Sequence, residues 1–426
     1  MKPIKIAIVS PYPPSKGTLN EYAFHLVKQL KLKRDVEEII ILTDKIEESY
    51  PEVESAQHCK VTIKPVWSFN SIMNIFDIAK AVKACKADVV LYNIQFLSFG
   101  DKKIQAAIGL LTPFITRILK VPSVVLLHNI VETVDYESAG ITKNPILKFL
   151  FNMVGTILTK IVLMANVVAV TMPKYVDILE KKYKAKNVAL IPHGSFELPP
   201  MPNFELDPGP KTIMTFGKFG TYKKVEKMIE AVELVRQRTG EDLRIVIAGT
   251  DNPNVAGYLD NVKNKYSDVK DIEFTGYVEE EDVPRIFKES AVVVFEYTST
   301  TGSSGVLHQA GSYGKAVVLP NIGDLKELIE EEGYCGEFFK ADDKMDLADA
   351  IQKLVTDDAH RQMIAKKNYT AAASLPMSDI AEWYMMHFQS LRPKVHSSIP
   401  SMSPLNKSQR MKTTKKKTRM ATNISV

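Results

Sequence analysis

The sequence predicts an α/β protein built from two domains, each with a parallel sheet. Short runs of β-branched apolar residues recur along the chain with helical stretches between them. This alternation is typical of parallel strands that are covered on both faces by helices. The chain has 426 residues, of which 45% are hydrophobic and 25% are charged. Because a single core rarely grows beyond about 250 to 300 residues, we expect two domains.

Twelve segments are predicted as strands, and a proline-rich stretch divides them into two series. The first series comprises residues 5–9, 38–42, 61–65, 88–92, 123–127, 167–170 and 188–191. The second series comprises residues 212–216, 243–248, 272–275, 291–295 and 316–319. Six prolines lie between Pro192 and Pro210, which is typical of an interdomain linker.

These divisions predict the domain organisation. We expect an N-terminal Rossmann-like domain over residues 1–197, a linker over 198–211 and a C-terminal domain over 212–376. A helix over 377–392 is expected to pack back on the N-terminal domain. Residues 393–426 contain eight basic residues and no acidic one, with few apolar side chains, so we expect a disordered basic tail. Such a tail is either a solubilising extension or a segment attracted to anionic lipid head groups.

One predicted helix, over residues 145–165, is almost entirely apolar. Its few polar residues fall on one stripe at helical spacing, and they are Lys148, Asn152, Thr156, Thr159 and Lys160. A narrow polar stripe predicts a helix that is mostly buried in its domain. The alternative is a helix that lies on a membrane surface. The two lysines argue against a membrane span.

The cysteines and the amino terminus indicate the compartment. Cys59, Cys85 and Cys335 lie far apart and lack paired metal-ligand spacing, which fits a reducing cytosol and predicts no structural metal. The chain begins with an apolar run over residues 4–9 that is interpreted as a buried strand rather than as a signal peptide. We therefore expect a cytoplasmic protein.

Three strand-to-helix junctions contain residues that could bind an anion. The first, over residues 10–18, places Gly17 at a helix start, where unpaired amides are available. The second, over 217–224, combines two glycines with Lys218, Lys223 and Lys224, which would suit a diphosphate. Each of these two junctions could also be an ordinary solvated loop.

The third junction, over residues 298–306, is the most informative. It is rich in small hydroxyl residues and glycines immediately before a predicted helix, and its last members are Gly302, Ser303, Ser304, Gly305 and Val306. A helix start of this composition offers a cluster of backbone amides to phosphate or sugar oxygens. A structural turn would need one glycine rather than several.

Taken together, these motifs resemble family 4 of the retaining, nucleotide-sugar-dependent glycosyltransferases, over residues 4 to about 391. Gly217, Lys218 and Lys223 occupy the places of the Gly-Arg-x(4)-Lys element that grips the donor diphosphate in that family. Residues 314–318 match its Gly-x-Pro-Val-Val-like strand, and residues 191–194 and 274–278 match weaker features. The resemblance implies the glycosyltransferase-B fold, in which two Rossmann-like domains face a central cleft.

The resemblance also implies roles for individual residues. The residues expected to bind the donor are Gly17, Lys218, Lys223, residues 302–306 and Gln309. His128, which follows the strand 123–127, takes the place of a histidine beside the transferred sugar, and Asn129 and Glu132 are expected on the acceptor side. Two family glutamates are replaced, the one near the reacting centre by Thr301 and the ribose-binding one by Gln309. His128 and Thr301 are therefore the candidate catalytic residues.

The implied reaction transfers a hexose from a nucleoside-diphosphate sugar to an acceptor hydroxyl with retention, in polysaccharide or glycoconjugate synthesis. It would need neither a metal nor a cofactor. The acceptor would be a glycan, a lipid-linked sugar or a small molecule, an anionic membrane surface is a further possible partner, and no nucleic acid is expected. The missing carboxylates favour an alternative, an inactive nucleotide- or sugar-binding partner subunit. A nicotinamide-dependent enzyme is disfavoured because the first strand lacks a Gly-x-Gly-x-x-Gly turn.

Overall fold

A computed structural model of the protein contains two parallel sheets, each covered by helices. It describes residues 2–134, 142–252, 255–300 and 302–392, and only the backbone of Lys103. The predicted basic tail and Thr301 therefore lie outside the described residues.

The first sheet has seven strands in the order β3-β2-β1-β4-β5-β6-β7. Its strands are β1 Ile4–Val9, β2 Val36–Asp44, β3 Lys60–Trp67, β4 Val89–Ile94, β5 Ser123–Leu127, β6 Val167–Val170 and β7 Val188–Leu190. The connecting helices are α1 Asn20–Leu30, α2 Asn74–Cys85, α3 Lys103–Gly109, α4 Thr112–Ile118, α5 Pro145–Val162 and α6 Pro173–Tyr183. Every pair of neighbouring strands is parallel.

The second sheet has six strands in the order β10-β9-β8-β11-β12-β13, and its pairs are also parallel. Its strands are β8 Lys211–Phe219, β9 Leu243–Asp251, β10 Ile272–Gly276, β11 Ser290–Val294, β12 Ala316–Pro320 and β13 Glu337–Phe339. Its helices are α7 Glu226–Thr239, α8 Tyr258–Lys265, α9 Val283–Glu289, α10 Gly305–Ser312, α11 Gly323–Glu332, α12 Lys344–Thr356 and α13 Asp358–Ser374, and α14 Met377–Ser390 ends the described chain.

All twelve predicted strands are present, and the apolar runs of most of them are buried in the core. Strands β4, β5 and β12, for example, are buried at every position. The strand that the sequence does not predict, β13, has three residues and begins with a half-buried glutamate, so it lacks a periodic apolar signal. Strand β8 extends to Phe219, which places Gly217 and Lys218 within the strand instead of in the loop after it.

The last helix, α14, packs on the first sheet although it follows the second sheet in sequence. Its Ile380, Tyr384 and Phe388 are fully buried in the core that contains Ile4 and Ile6 of β1. The hydroxyl groups of Tyr384 and Tyr22 on α1 are 3.2 Å apart. The chain therefore crosses from one sheet to the other twice, which ties the two sheets together.

The prediction that the apolar helix is mostly buried is wrong. Of the residues in α5, only Gly155, Thr159 and Val162 are buried, and 17% of the helix is buried inside the protein. The small residue Gly155 faces inward because Val131 occupies the adjoining space, and a β-carbon at Gly155 would collide with the Val131 side chain. The large apolar side chains consequently face outward. By length and composition this helix could also cross a membrane, a weak criterion when a single helix meets it.

The packing of α14 can be tested by truncating one buried side chain. We expect Ile380→Ala to destabilise the chain by about 2–5 kcal/mol, because it leaves a cavity between α14 and the first sheet. Met386→Ala on the same helix is the matched control, since Met386 is 68% exposed. Urea unfolding followed by circular dichroism would measure both variants. Equal unfolding midpoints for the two variants would contradict this account of α14.

Candidate active site

The carboxyl ends of the two sheets meet. Lys16 lies in the loop after β1. Its carbonyl oxygen accepts a hydrogen bond of 2.9 Å from the side-chain amine of Lys218 in β8. The Lys16 amine in turn lies 4.5 Å from the ring centroid of Tyr277, which follows β10. His25 on α1 pairs with Glu280 at 2.9 Å. In parallel sheets, ligands bind outside the carboxyl ends of the strands, so this junction is the candidate active site.

A group of buried rings forms the interior of the junction. His193, which follows β7, stacks on His308 of α10 with ring centroids 4.7 Å apart and planes 2° from parallel. The Tyr22 ring packs edge-on against His128 at 4.7 Å and against His193 at 5.0 Å. Burial lowers the pKa of His193 to about 4 and holds the pKa of His128 and of His308 well below the usual range. These imidazoles are therefore neutral at physiological pH.

The loop before α10 is anchored by residues from both sheets. The amide of Gly302 donates to the Tyr175 hydroxyl oxygen at 2.6 Å and to Asp324 Oδ2 at 3.1 Å. Tyr175 donates to the same carboxylate oxygen at 2.5 Å, and the neighbouring Lys174 pairs with Asp324 at 3.2 Å. Gly302 has a φ of +80°, and a β-carbon there would collide with the carbonyl oxygen of His128. Glycine is therefore required at this position.

Lys218 and Lys223 lie together at this junction. The Lys223 amine lies 4.6 Å from the ring centroid of Tyr297 and packs across Gly217, where a β-carbon would approach it to 2.8 Å. Burial lowers the pKa of Lys218, an effect that Glu21 of α1 partly offsets. Burial raises the pKa of Glu21, as does Glu280, whereas His25, Lys218 and Lys223 lower it. Lys218 and Lys223 therefore lie close enough to Glu21 to interact with it electrostatically.

The start of α10 offers further groups to a ligand. The helix begins at Gly305 without a side-chain cap. The Ser303 hydroxyl oxygen is buried and has no hydrogen-bond partner among the described residues. Gly305 lies over the His193 ring, since a β-carbon on it would be 3.6 Å from Nε2. Gln309 is buried one turn further along α10. The start of α10 therefore lies at the junction of the two sheets, against the loop that follows β7.

His128 is oriented by Asn93. The Asn93 amide nitrogen donates to Ser10 Oγ at 2.9 Å and to the Leu19 carbonyl oxygen at 3.3 Å, so its Oδ1 is an acceptor. His128 Nε2 lies 2.7 Å from that oxygen and must carry the proton. The Nδ1 atom of the neutral ring is then unprotonated. His128 can accept a proton or a hydrogen bond at this atom.

Some of the predicted site residues have hydrogen-bonding groups that are already engaged within the protein. The Gly17 amide donates to Ser15 Oγ at 3.1 Å, and Ser15 donates to Asp44 at 2.6 Å, so this amide is already engaged. Glu132 Oε1 accepts hydrogen bonds from Tyr183 and Lys182 of α6, whereas its buried Oε2 has no hydrogen-bond partner within the described residues. Asn129 does lie beside the Gly302 loop, and its buried Oδ1 has no partner within the described part of the chain.

Several residues at the junction could not be identified as site residues from the sequence. Glu21, Tyr175 and Asp324 are isolated polar residues in helices, and their roles depend on contacts between distant parts of the chain. Glu332 is similar, since its Oε2 lies 3.5 Å from His308 Nδ1. Among the described residues, no group of three or more histidine, cysteine or acidic side chains could hold a metal ion.

Comparisons with known proteins support the same fold. The sequence model of the family described as Glycosyl transferases group 1 matches residues 210–357. No curated protein sequence matches the chain. Sucrose-phosphate synthase from Thermosynechococcus elongatus has a similar structure, with a TM-score of 0.68 at 17% identity, covering 92% of this chain and 99% of its own.

Two further solved structures are similar over nearly the whole chain. HepE from Anabaena, in complex with UDP-glucose, has a TM-score of 0.63 at 14% identity and covers 91% of this chain and 100% of its own. WaaG, a glycosyltransferase involved in lipopolysaccharide biosynthesis, has a TM-score of 0.63 at 13% identity and covers 90% of this chain and 99% of its own. The predicted glycosyltransferase-B fold, with two parallel α/β sheets, is thereby confirmed.

The buried Glu332 predicts a measurable pH dependence of stability. Burial raises its pKa from 4.5 to about 8, and Glu331 adds to the effect. Between these values the folded chain keeps a proton that the unfolded chain releases, so this carboxyl lowers stability as the pH rises. We expect Glu332→Gln to raise the melting temperature above about pH 8 and to change it little near pH 5. Thermal unfolding of the wild type and the variant at both pH values tests this expectation. The control is Glu330→Gln, which changes an exposed glutamate nearby. A pH-independent difference would contradict the assignment.

Proposed function

We propose that this chain transfers a hexose from a nucleoside-diphosphate sugar to an acceptor hydroxyl, since residues 210–357 match the sequence model of the group 1 glycosyltransferases. The proposed outcome is retention of configuration at the anomeric carbon. The observation that carries the proposal is that Lys218 of β8 and the start of α10 both lie against loops that follow strands of the first sheet, Lys218 at Lys16 and Gly305 at His193. That set of groups is suited to a diphosphate.

The lysines would bind the diphosphate and stabilise it as it leaves. When the bond from the sugar to the diphosphate breaks, negative charge grows on the leaving oxygen. Buried amines and helix amides stabilise such charge more than water does, because their dipoles are already oriented. The partial burial of Lys218 strengthens this interaction, since the local dielectric is low. The UDP-glucose complex of HepE supports a nucleoside-diphosphate sugar as the donor.

The same groups make the proposed reaction independent of metal. A nucleoside diphosphate needs cationic charge, and two lysines with the positive end of a helix provide it. The α10 loop would hold sugar and phosphate oxygens through Ser303, Ser304 and the amides of residues 302–306, and Gln309 would accept a hydrogen bond from the ribose. Thr301 remains the proposed residue beside the reacting centre.

His128 and Asn129 are proposed to serve the sugar and the acceptor. The neutral His128 ring presents an unprotonated Nδ1, which can accept a hydrogen bond from a sugar hydroxyl. Asn129 lies next to Gly302, and its unpaired oxygen can do the same. The engagement of Glu132 by Tyr183 argues for a structural role of that carboxylate.

The proposed setting is the cytoplasm, at the inner face of a membrane, in the synthesis of a polysaccharide or glycoconjugate. WaaG, which is similar in structure, acts in lipopolysaccharide biosynthesis, and this supports a glycan or lipid-linked acceptor over a small molecule. The basic residues of the tail would add attraction to anionic lipid.

Donor binding tests the proposal. We expect one of a panel of uridine-, guanosine- and adenosine-diphosphate sugars to bind in calorimetry. The Lys218→Ala, Lys223→Ala double variant should lose about 100-fold or more in affinity, since each charged hydrogen bond contributes about 1.5–3 kcal/mol. The Lys263→Ala, Lys288→Ala double variant is the control, because both lysines are exposed and lie outside the predicted diphosphate motif. Unchanged binding in the first variant would refute the assigned diphosphate site.

A second candidate function is favoured by the absence of carboxylates at positions 301 and 309. The chain would then bind nucleotide sugars as a partner subunit without catalysing transfer. Donor hydrolysis and transfer assays on wild-type protein and on the Thr301→Glu, Gln309→Glu variant distinguish the two. We expect slow wild-type turnover whose rate changes in the variant. Donor binding without turnover in either protein would support the partner-subunit function.

A further inference from the structure

Helix α5 presents a large apolar surface that the proposed reaction does not use. Seven large apolar side chains of this helix are exposed, and they form what we call the α5 face: Ile146, Leu147, Phe149, Leu150, Met153, Val154 and Ile157. The most exposed are Ile146 at 69% and Phe149 at 68%. Contiguous apolar surfaces of this kind mark sites of interaction with protein or membrane.

The apolar surface continues beyond the helix. Arg117 at the end of α4 donates a hydrogen bond of 2.5 Å to the carbonyl oxygen of Met164, just after α5. Ile118 and Met164 at this corner are 59% and 39% exposed. The apolar surface therefore extends from α5 to the end of α4. An isolated exposed apolar residue on a solvated helix would not form such a surface.

The orientation of α5 is fixed by the rest of the fold. Gly155, Thr159 and Val162 are its buried positions, and Gly155 packs on Val131. Its amino terminus is capped by the Asn144 side chain, whose Oδ1 accepts from the amides of Ile146 and Leu147. The helix thus packs through small residues and keeps the large apolar ones outside, the reverse of a helix that contributes to a core.

Basic residues outnumber acidic ones by seven to three in residues 102–164, where Glu132, Asp135 and Glu137 are the acids. Residues 142–164 contain no acidic residue, and in residues 102–134 Glu132, already engaged by Tyr183 and Lys182, is the single acid. Basic residues are frequent in the same two segments, namely Lys102, Lys103, Arg117, Lys120, Lys143, Lys148 and Lys160. Apolar side chains whose sequence neighbours are mainly basic complement a bilayer surface that contains anionic lipid.

We propose that the α5 face docks on a bilayer that contains anionic lipid, with α5 lying in the plane of the head groups. The length of α5, 18 residues, would allow a membrane span. The helix is packed against the protein along its buried side, however, so it lies on the membrane and does not span it. A second copy of the chain is a poorer occupant, because pairing two such surfaces would bring like charges together.

The test is co-sedimentation of the full chain with vesicles of phosphatidylcholine, with and without phosphatidylglycerol. We expect the wild-type chain to bind the anionic vesicles, and the Ile146→Ser, Phe149→Ser, Ile157→Ser variant to bind at least about tenfold more weakly. The matched control is Leu32→Ser, Phe76→Ser, Met386→Ser, which removes apolar side chains that are 59%, 65% and 68% exposed elsewhere. The control should bind as the wild type does.

Charge variants separate the helix from the tail. Lys160→Glu should weaken binding to anionic vesicles only, and added salt should reduce the difference. The Lys415→Gln, Lys416→Gln, Lys417→Gln variant should lose less affinity than the variant of the α5 face. If the tail variant abolishes binding and the α5 variant does not, the tail alone binds lipid and the proposal is overturned.

Two other outcomes would also overturn it. The first is a wild-type chain that binds neither kind of vesicle. The second is a dimer in sedimentation without lipid that the α5 variant converts to a monomer while vesicle binding is unchanged, which would make the α5 face a self-association surface. Circular dichroism and calorimetry with the nucleotide sugar confirm that each variant is folded. Because lipid and donor binding are measured separately, failure of one does not imply failure of the other.

Discussion

The contact between the carboxyl ends of two parallel sheets is the constraint on which the rest of the structure depends. Gly302 lies where this contact is tightest, against the carbonyl oxygen of His128 and bonded to Tyr175 and Asp324. A side chain at Gly302 would separate the sheets, and loss of Asp324 would leave the Gly302 amide and Lys174 without their common partner. The α10 loop therefore takes its position from the first sheet as well as from its own. Packing of α14 on β1 gives the second connection between the sheets.

Charge is distributed unevenly across this junction. The ring cluster of His128, His193 and His308 is neutral because burial disfavours the imidazolium form, whereas Lys218 and Lys223 supply positive charge nearby. A neutral histidine can orient hydroxyl groups without competing with the lysines for a phosphate. Lysine in place of the family arginine at 218 keeps the charge but loses two-pronged hydrogen bonding. Contact between Lys218 and the Lys16 carbonyl oxygen partly restores its orientation.

The strands could be predicted from the sequence because burial on both faces leaves continuous apolar runs, whereas the direction in which a helix faces could not. In α5 the polar and apolar stripes were recognised, but the apolar stripe faces outward instead of into the protein. Gly155 and Thr159 face inward, and Val131 leaves no room for a side chain at Gly155. The same limit applies to the site. Lys218 and Lys223 follow from local motifs, but the engagement of the Gly17 amide by Ser15 and the roles of Glu21 and Asp324 depend on contacts between residues distant in sequence.

The α5 face and the proposed acceptor residues both lie close in sequence to the end of one strand. Strand β5 ends at Leu127, His128 follows it into the junction, and Val131 three residues later supports Gly155 of α5. Glu132 then fixes this short segment to α6 through Tyr183, which also explains why its carboxylate is engaged. If α5 lies on a bilayer, Val131 is held beside this helix by its contact with Gly155, and His128 is three residues from Val131. An acceptor anchored in the bilayer could then present its hydroxyl near His128 without leaving the membrane, whereas a soluble acceptor would gain nothing from this arrangement. The position of α5 in the chain thus favours a lipid-linked acceptor.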